Sequence, residues 1–321
     1  MKILLVSWSH VDLIFKKFLL ARVGGELISL RFSHHPTWNT PNRSYLRNAL
    51  HIMNLLVRAI FQGYGTIRIV FGTNSCRFLF PLFLSRRTFY IFNELPQESY
   101  GFLGLYDRLI FCCSKNIAVS TEARRKLLDR LGYKSSHVQI LENITFDTVF
   151  NLPPVSRDQK RGVLIGTLDK TRFGEEAVKI LYDLTSNGMQ VDVYASLIER
   201  GLQLDCPGVR FLAPLPHDLM LSKLTEYDFG ILSYEPVSLN NFYAAPLKLY
   251  EYVNAGLRVV SLFHNAGIES VRLQYPDLFC DSPLLPGGAN QGYARDRHTF
   301  LSSAIEGNRS YADEITSSLK G

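Results

Sequence analysis

The sequence predicts a parallel α/β protein built as two similar halves. Three observations carry this expectation. Short apolar, β-branched runs alternate with amphipathic helical stretches, the pattern of strands covered by helices on both faces. The alternation stops at Asn151 to Arg161, where Pro153-Pro154 sits among several charges, and restarts at Gly162. A length of 321 residues suits two domains of ordinary size. The expected organisation is residues 1–150, a linker 151–161, a second domain 162–300 and a C-terminal helix 301–321.

In the first half, Lys2 to Val6 reads as a strand, Ser7 to Asp12 as a polar loop and Leu13 to Ala21 as a helix. Leu27 to Phe32 is the next strand, and His34 to Asn42 a loop. Ser44 to Phe61 has helical spacing, with Leu46, Leu50, Met53, Leu56 and Val57 on one side and Arg43, Arg47 and Arg58 on the other. Ile67 to Phe71 is a strand, Asn74 to Leu84 a helix and Thr88 to Phe92 a strand. Leu103 to Phe111 looks helical, Asn116 to Ser120 is a short strand and Thr121 to Leu131 a helix whose first residues make a good N-terminal cap. Val138 to Leu141 closes the half.

In the second half, Gly162 to Gly166, Gln190 to Ala195, Val209 to Leu212 and Asp228 to Leu232 read as strands. Glu175 to Ser186 and Pro216 to Leu224 read as helices. The run Pro246 to Ala255 is a helix opened by proline in its first turn and ended by Gly256, and Leu257 to Leu262 is a buried strand. After a loop at Leu284 to Gly292, two helices are expected near His298 to Glu306 and Tyr311 to Leu319.

Composition narrows the function classes. At 46% hydrophobic and 20% charged, the chain is ordinary globular protein and not a disordered one. The start, MKILLVSWSHVD, reads as a first strand with no cleavage-site pattern, and no apolar run approaches a bilayer span. The five cysteines are odd in number and lack metal-ligand spacing, which suits reduced thiols and a cytoplasmic setting. No D-x-D triplet or other metal motif is visible, so no metal is expected. The charge is uneven: residues 1–150 hold 19 Lys and Arg against 9 Asp and Glu, and residues 151–321 hold 16 against 20. A basic half suits an anionic membrane or a phosphorylated substrate. Without an aromatic-interleaved binding module, nucleic acid is not an expected partner.

Parallel α/β sheets bind ligands just after their strands, at the carboxyl ends. Gly166 lets a backbone approach a phosphate, and Lys170 and Arg172 beyond Thr167 can neutralise a diphosphate. The helix start at Pro246, Leu247 and Lys248 suits a second phosphate contact, and Glu251, one turn on, can hold a ribose diol if buried. The plain alternative is a βαβ helix whose Glu251 is solvated.

Here the chain resembles a known family. The pattern P-x-K-x-x-E-Y-x-x-x-G-x-x-V-V, from Pro246 to Val260, is similar to the nucleotide-sugar motif of GT-B glycosyltransferases of the family 4-like, group 1 bacterial polysaccharide type. The resemblance implies two Rossmann-like domains facing a cleft, with the donor on the second and the C-terminal helix 301–321 crossing back to the first. It implies that Val209 to Leu215, ending at Leu215, cradles the nucleobase, and that the basic pair after Gly166 stabilises the leaving diphosphate. Many retaining members carry a glutamate eight positions before the ribose-binding one. Here that position is Tyr243, so Asn240, Asn241 and Tyr243 are the candidates to contact the sugar. In the first domain, Phe92-Asn93-Glu94 resembles a strand ending in His-Glu, with asparagine in place of histidine. Glu94 is a candidate general base or sugar ligand, with a structural cap as the alternative. His10 and Asp12, after the first strand, are candidates for a base and its orienting partner, although Asp12 equally suits a helix cap.

The expected function is transfer of a sugar from a UDP- or GDP-linked donor to a glycan acceptor, in bacterial surface polysaccharide synthesis. No other cofactor is expected. The basic first domain suits an acceptor on a lipid diphosphate at the inner membrane face, with Arg43, Arg47, Arg58, Arg86, Arg87, Arg124, Arg125 and Lys126 as contacts. Two alternatives stay open: a nucleotide-sugar epimerase, and a non-catalytic nucleotide-sugar-binding or partner protein.

Overall fold

The structure is a computed structural model and describes residues 2–7, 26–31, 54, 57, 67–72, 88–92, 108–109, 111–114, 116–133, 137–144, 161–168, 175–198, 206–244, 246–280 and 291–317. The chain divides into two compact units. One comprises Met1–Thr145 with Glu306–Gly321, and the other Phe146–Ile305. Each has its own parallel sheet.

The sheet of the first unit contains β1 (Lys2–Ser7), β2 (Glu26–Arg31), β3 (Ile67–Gly72), β4 (Thr88–Phe92), β5 (Asn116–Val119) and β6 (Val138–Ile140). Their order across the sheet is β2-β1-β3-β4-β5-β6. Every residue of β4 is buried, as a central strand covered on both faces requires. Beneath it, Phe92 meets Phe111 edge-on at 5.2 Å, and Phe111 meets Tyr133 at 5.0 Å. The helix Glu122–Arg130 is capped by Thr121, whose hydroxyl accepts from the Arg124 N–H at 3.2 Å. It ends on Gly132, whose φ of 77° lets Gly132 and Tyr133 donate back to Asp129 and Leu128. Arg124 itself is buried, 6% exposed, so it belongs to the packing of this helix and not to a basic surface. Arg125 pairs with Glu122 at 2.9 Å, and Lys126 is exposed.

The last helix is one continuous element, Gln291–Ser317, where two were expected. A β-carbon at its Gly307 would meet nothing within 4 Å. Past it, Asn308 is buried, 1% exposed. Its Oδ1 accepts from the Glu142 N–H and its Nδ2 donates to the Glu142 carbonyl, both at 2.9 Å. Asn308 thus pairs its side chain with the strand-end backbone after β6. Tyr311, further along, packs edge-on against Phe89 at 6.1 Å. The expected helices at 13–21 and 74–84 lie outside the described residues, as does 44–61 apart from Asn54 and Val57, both helical and exposed.

The sheet of the second unit contains β7 (Arg161–Leu168), β8 (Gln190–Ile198), β9 (Val209–Leu212), β10 (Phe229–Leu232) and β11 (Arg258–Ser261). Their order is β11-β10-β7-β8-β9, so the chain leaves β7 in one direction through β8 and β9 and returns on its other side through β10 and β11. The boundary between β7 and β10 is a topological switch point, where parallel sheets open a crevice at their carboxyl ends. One face of the sheet packs Leu164, Val191, Val193, Phe229, Ile231 and Val260 against Ala177 and Leu181 of the helix Glu175–Ser186. Helices also form at His217–Leu224, Leu239–Phe242, Leu247–Asn254 and Ala266–Gln274. The short helix and the Ala266–Gln274 helix have no counterpart in the sequence reading.

At the amino end of this sheet, Asp192, 3% exposed, gathers several donors. Arg210 makes a two-pronged contact at 2.7 and 2.8 Å, the Tyr227 hydroxyl donates at 2.8 Å, and Arg161 lies at 3.6 Å. Tyr194 and Tyr227 share a hydrogen bond of 3.2 Å, and the Arg161 guanidinium stacks over the Tyr227 ring at 5.1 Å. Burial pushes the Asp192 carboxyl upward, but its hydrogen bonds to Arg210 and Tyr227 outweigh this and hold it below its ordinary value.

Candidate functional site

The helix Leu247–Asn254 organises the switch point. Pro246 stands at the cap position with extended backbone, one residue before the helix and not inside its first turn. Gly256, at φ 82°, closes the other end: Gly256 donates to Val253 and Leu257 to Tyr252. Arg297 then caps the terminal carbonyls, donating to Val253 at 2.9 Å and Asn254 at 2.8 Å, while Tyr250 stacks on Phe300 at 5.0 Å. The helix is therefore fixed at its C-terminal end, and its N-terminal end faces the ends of β7 and β10.

Tyr252 locks that position from inside. Its ring is wholly buried and lies where a side chain on Gly230 would stand. Its hydroxyl accepts from the Ile165 N–H at 3.2 Å and donates to the Ile231 carbonyl at 3.4 Å. The β7–β10 ladder runs only from Phe229↔Gly162 to Ile231↔Leu164. The phenol takes the place of the next rung and parts the two strands at their carboxyl ends. Burial drives the Tyr252 phenol far above its ordinary value, so it stays neutral and can donate. Tyr252→Phe leaves the Ile165 N–H without this acceptor. It is expected to cost about 1–2 kcal/mol, read as a lower denaturation midpoint with an unchanged slope.

Just beyond this wedge, the pairing of β7 with β8 is irregular. The register slips between Gly166 and Thr167, and Gly166 has φ 150°, a conformation other residues avoid. The Lys248 ammonium sits against Gly166 where a β-carbon would be. Gly166, Lys248, Leu247 and Pro246 thus come together, with Glu251 one turn further along the same helix. Glu251 is buried, 5% exposed, so the solvated alternative does not hold.

Glu251 has a partner that sequence reading missed. Its Oε1 lies 2.7 Å from Nε2 of His217, the first residue of the helix His217–Leu224. His217 follows Ala213 to Pro216, the loop after β9 that includes exposed Leu215. Asp218 Oδ1 lies 3.7 Å from His217 Nδ1. The hydrogen bond to Glu251, supported by the charges of Glu251 and Asp218, outweighs burial and raises His217 above its ordinary value of 6.5. In sequence, a histidine after Pro216 and thirty-four residues before a glutamate carries no spacing signal.

The loop after β10 uses its polar residues partly for its own shape. Ser238 caps the Leu239–Phe242 helix through the Asn241 N–H, and Asn241 Nδ2 donates to the Glu235 carbonyl at 2.9 Å. Asn265 Nδ2 in turn donates to the Asn241 carbonyl, and its Oδ1 caps the Ala266–Gln274 helix. Asn240 is half-buried, and Tyr243 packs edge-on against Phe242 at 5.1 Å. Gly267 meets the Ala244 carbonyl too closely for any side chain, which seats the loop on this helix. His10, Asp12, Glu94, Lys170 and Arg172, with the side chain of Thr167, lie outside the described residues. Among the described residues, no group of three His, Cys, Asp or Glu side chains could hold a metal ion, and no helix is long and apolar enough to cross a membrane.

No family model and no curated protein matches the chain by sequence. Solved structures do match. A glycosyltransferase from Rickettsia africae superposes with a TM-score of 0.60 at 13% identity, covering 98% of each chain. Anabaena HepE in complex with UDP-glucose gives 0.56 at 12% identity, over 99% of this chain and 94% of that one. S. aureus TarM in complex with fondaparinux, alpha-GlcNAc-glycerol and UDP gives 0.56 at 13% identity, and this chain spans 55% of its length. The fold is GT-B, the two-domain architecture of these glycosyltransferases.

Proposed function

We propose that the chain is a glycosyltransferase that takes a sugar from a nucleoside-diphosphate donor held by its second unit. The observation that carries this reading is the joining of a phosphate-type and a ribose-type group at the switch point. The Lys248 ammonium lies over Gly166, and the buried Glu251 carboxylate follows one turn later on the same helix. Lys248 and the helix N-terminus would receive the diphosphate, with Lys170 and Arg172 joining them, and Glu251 would accept from the ribose hydroxyls. Leu215 would lie beside the base, and Asn240, Asn241 and Tyr243 near the sugar. Departure of the sugar leaves negative charge on the diphosphate, and fixed cations lower the barrier to that step. The UDP and UDP-glucose in two similar structures favour a uridine donor.

The first unit would take the acceptor, a glycan that in this reading is carried on a lipid diphosphate at an anionic membrane face, in surface polysaccharide synthesis. Its excess of Lys and Arg supports an anionic partner. His10, Asp12 and Glu94 are the candidates to activate the acceptor hydroxyl.

A thermal-shift screen with UDP-, GDP- and CMP-sugars tests the donor site. At a hundred times the dissociation constant, a ligand adds about 2.7 kcal/mol to the folded state, a rise of roughly 5 °C or more. One nucleotide class should stand out, and Lys248→Ala should reduce the rise. A chain shifted by none of them has no such donor site.

A further inference from the structure

We propose that His217 is a positioning residue of the donor site, holding the Glu251 carboxylate through Oε1 so that Oε2 is left for the nucleotide ribose, and tuning donor affinity through its own charge. The proposal rests on the donor-site reading above and adds to it a residue on a separate helix.

The geometry is specific. Glu251 is 5% exposed and sits mid-helix, where a carboxylate must be hydrogen-bonded or bear the cost of burial. His217 Nε2 meets it at 2.7 Å, the length of a charge-assisted bond. The His217 side chain is 32% exposed, so it stands between the buried carboxylate and solvent. It also opens the helix that follows the loop after β9. One imidazole therefore joins that loop to the helix bearing Lys248 and Glu251.

The charged and titratable groups around the pair define what pH does. Asp218 lies on the histidine's own helix, its carboxylate 3.7 Å from Nδ1. Glu251, Lys248 and Tyr252 belong to the facing helix, and the Tyr252 phenol is kept neutral by burial. Tyr234, after β10, adds to the field at Tyr252. His217 is the member whose charge changes near neutrality. Because Glu251 raises it, the protonated contact is fully present below 6.5 and is lost as pH rises through the higher value. Protonated His217 offsets the Glu251 charge beside an incoming anion. Donor binding should therefore be tighter on the acid side.

The test uses the full chain in two arms. In the first, the His217 ring is titrated by NMR without ligand. Its midpoint should lie above 6.5 and fall in Glu251→Gln. In the second, UDP-glucose and GDP-mannose are titrated by calorimetry from about pH 6 to 8.5; their diphosphates are diesters and lack the free phosphate ionisation near 6. The dissociation constant of whichever binds should rise about three- to tenfold over that range. His217→Gln should keep a donor to Glu251 and bind with a flat profile. His217→Ala should be flat and weaker throughout. If neither these two nor any sugar of the thermal-shift screen binds the unaltered chain, the donor-site reading fails and this proposal with it. If one binds with a flat profile, or His217→Ala keeps both affinity and slope, the proposal alone is overturned.

Discussion

Replacing Glu251 with alanine is expected to weaken nucleotide-sugar binding by about 30- to 100-fold, the worth of a hydrogen bond to a charged group in a largely desolvated site. The carboxylate is already buried and held by His217 before any ligand arrives. Its ordering cost is met in folding, so its contacts with a ribose diol count nearly in full. Glu251→Gln keeps the shape but removes the charge, and should fall between alanine and the natural residue. Both variants should remain folded, because the helix is fixed by Gly256, Arg297 and Tyr252. Calorimetric titration with the donor identified by thermal shift checks this. Alanine binding as tightly as the natural chain would move the ribose site elsewhere.

The second large effect falls on stability. Asp192→Ala should cost about 2–3 kcal/mol, because it strips the buried Tyr227 hydroxyl of its acceptor and releases Arg210 and Arg161 together. The Arg210 side chain is 58% exposed, so water takes up much of its loss and the figure stays below that of a fully buried ion pair. The pH dependence has a definite sign. Asp192 is held below its ordinary 3.8, so its contribution is present above that value and disappears as pH falls through the lowered one. The natural chain should therefore lose stability in acid more steeply than Asp192→Asn. Denaturant midpoints at pH 7 and in acid measure both effects.

The strand–helix alternation made the two parallel sheets legible, because strands such as Thr88–Phe92 and Arg258–Ser261 carry their burial in composition. The helix that presents Glu251 was equally readable, from Pro246 at one end and Gly256 at the other. Positions set by long-range pairing were not readable. The His217–Glu251 bond joins residues thirty-four apart, and the bond of Asn308 to the Glu142 backbone joins residues 166 apart. Tyr252 looks like one more apolar residue of an amphipathic helix. Its role as a sheet rung emerges only where Gly230 makes room for the ring. Arg124 shows the same limit from the other side: a basic run suggests surface, yet its first arginine is buried.

The pairing of Asn308 with Glu142 also sets an order of events during synthesis. The second unit is one uninterrupted segment, Phe146–Ile305, whereas the first needs Glu306–Gly321 to be whole. On the ribosome, all of the later unit emerges before the earlier one receives its last piece. Until then the Glu142 backbone lacks the Asn308 side chain, and Phe89 lacks the ring of Tyr311. The half made first is the half finished last.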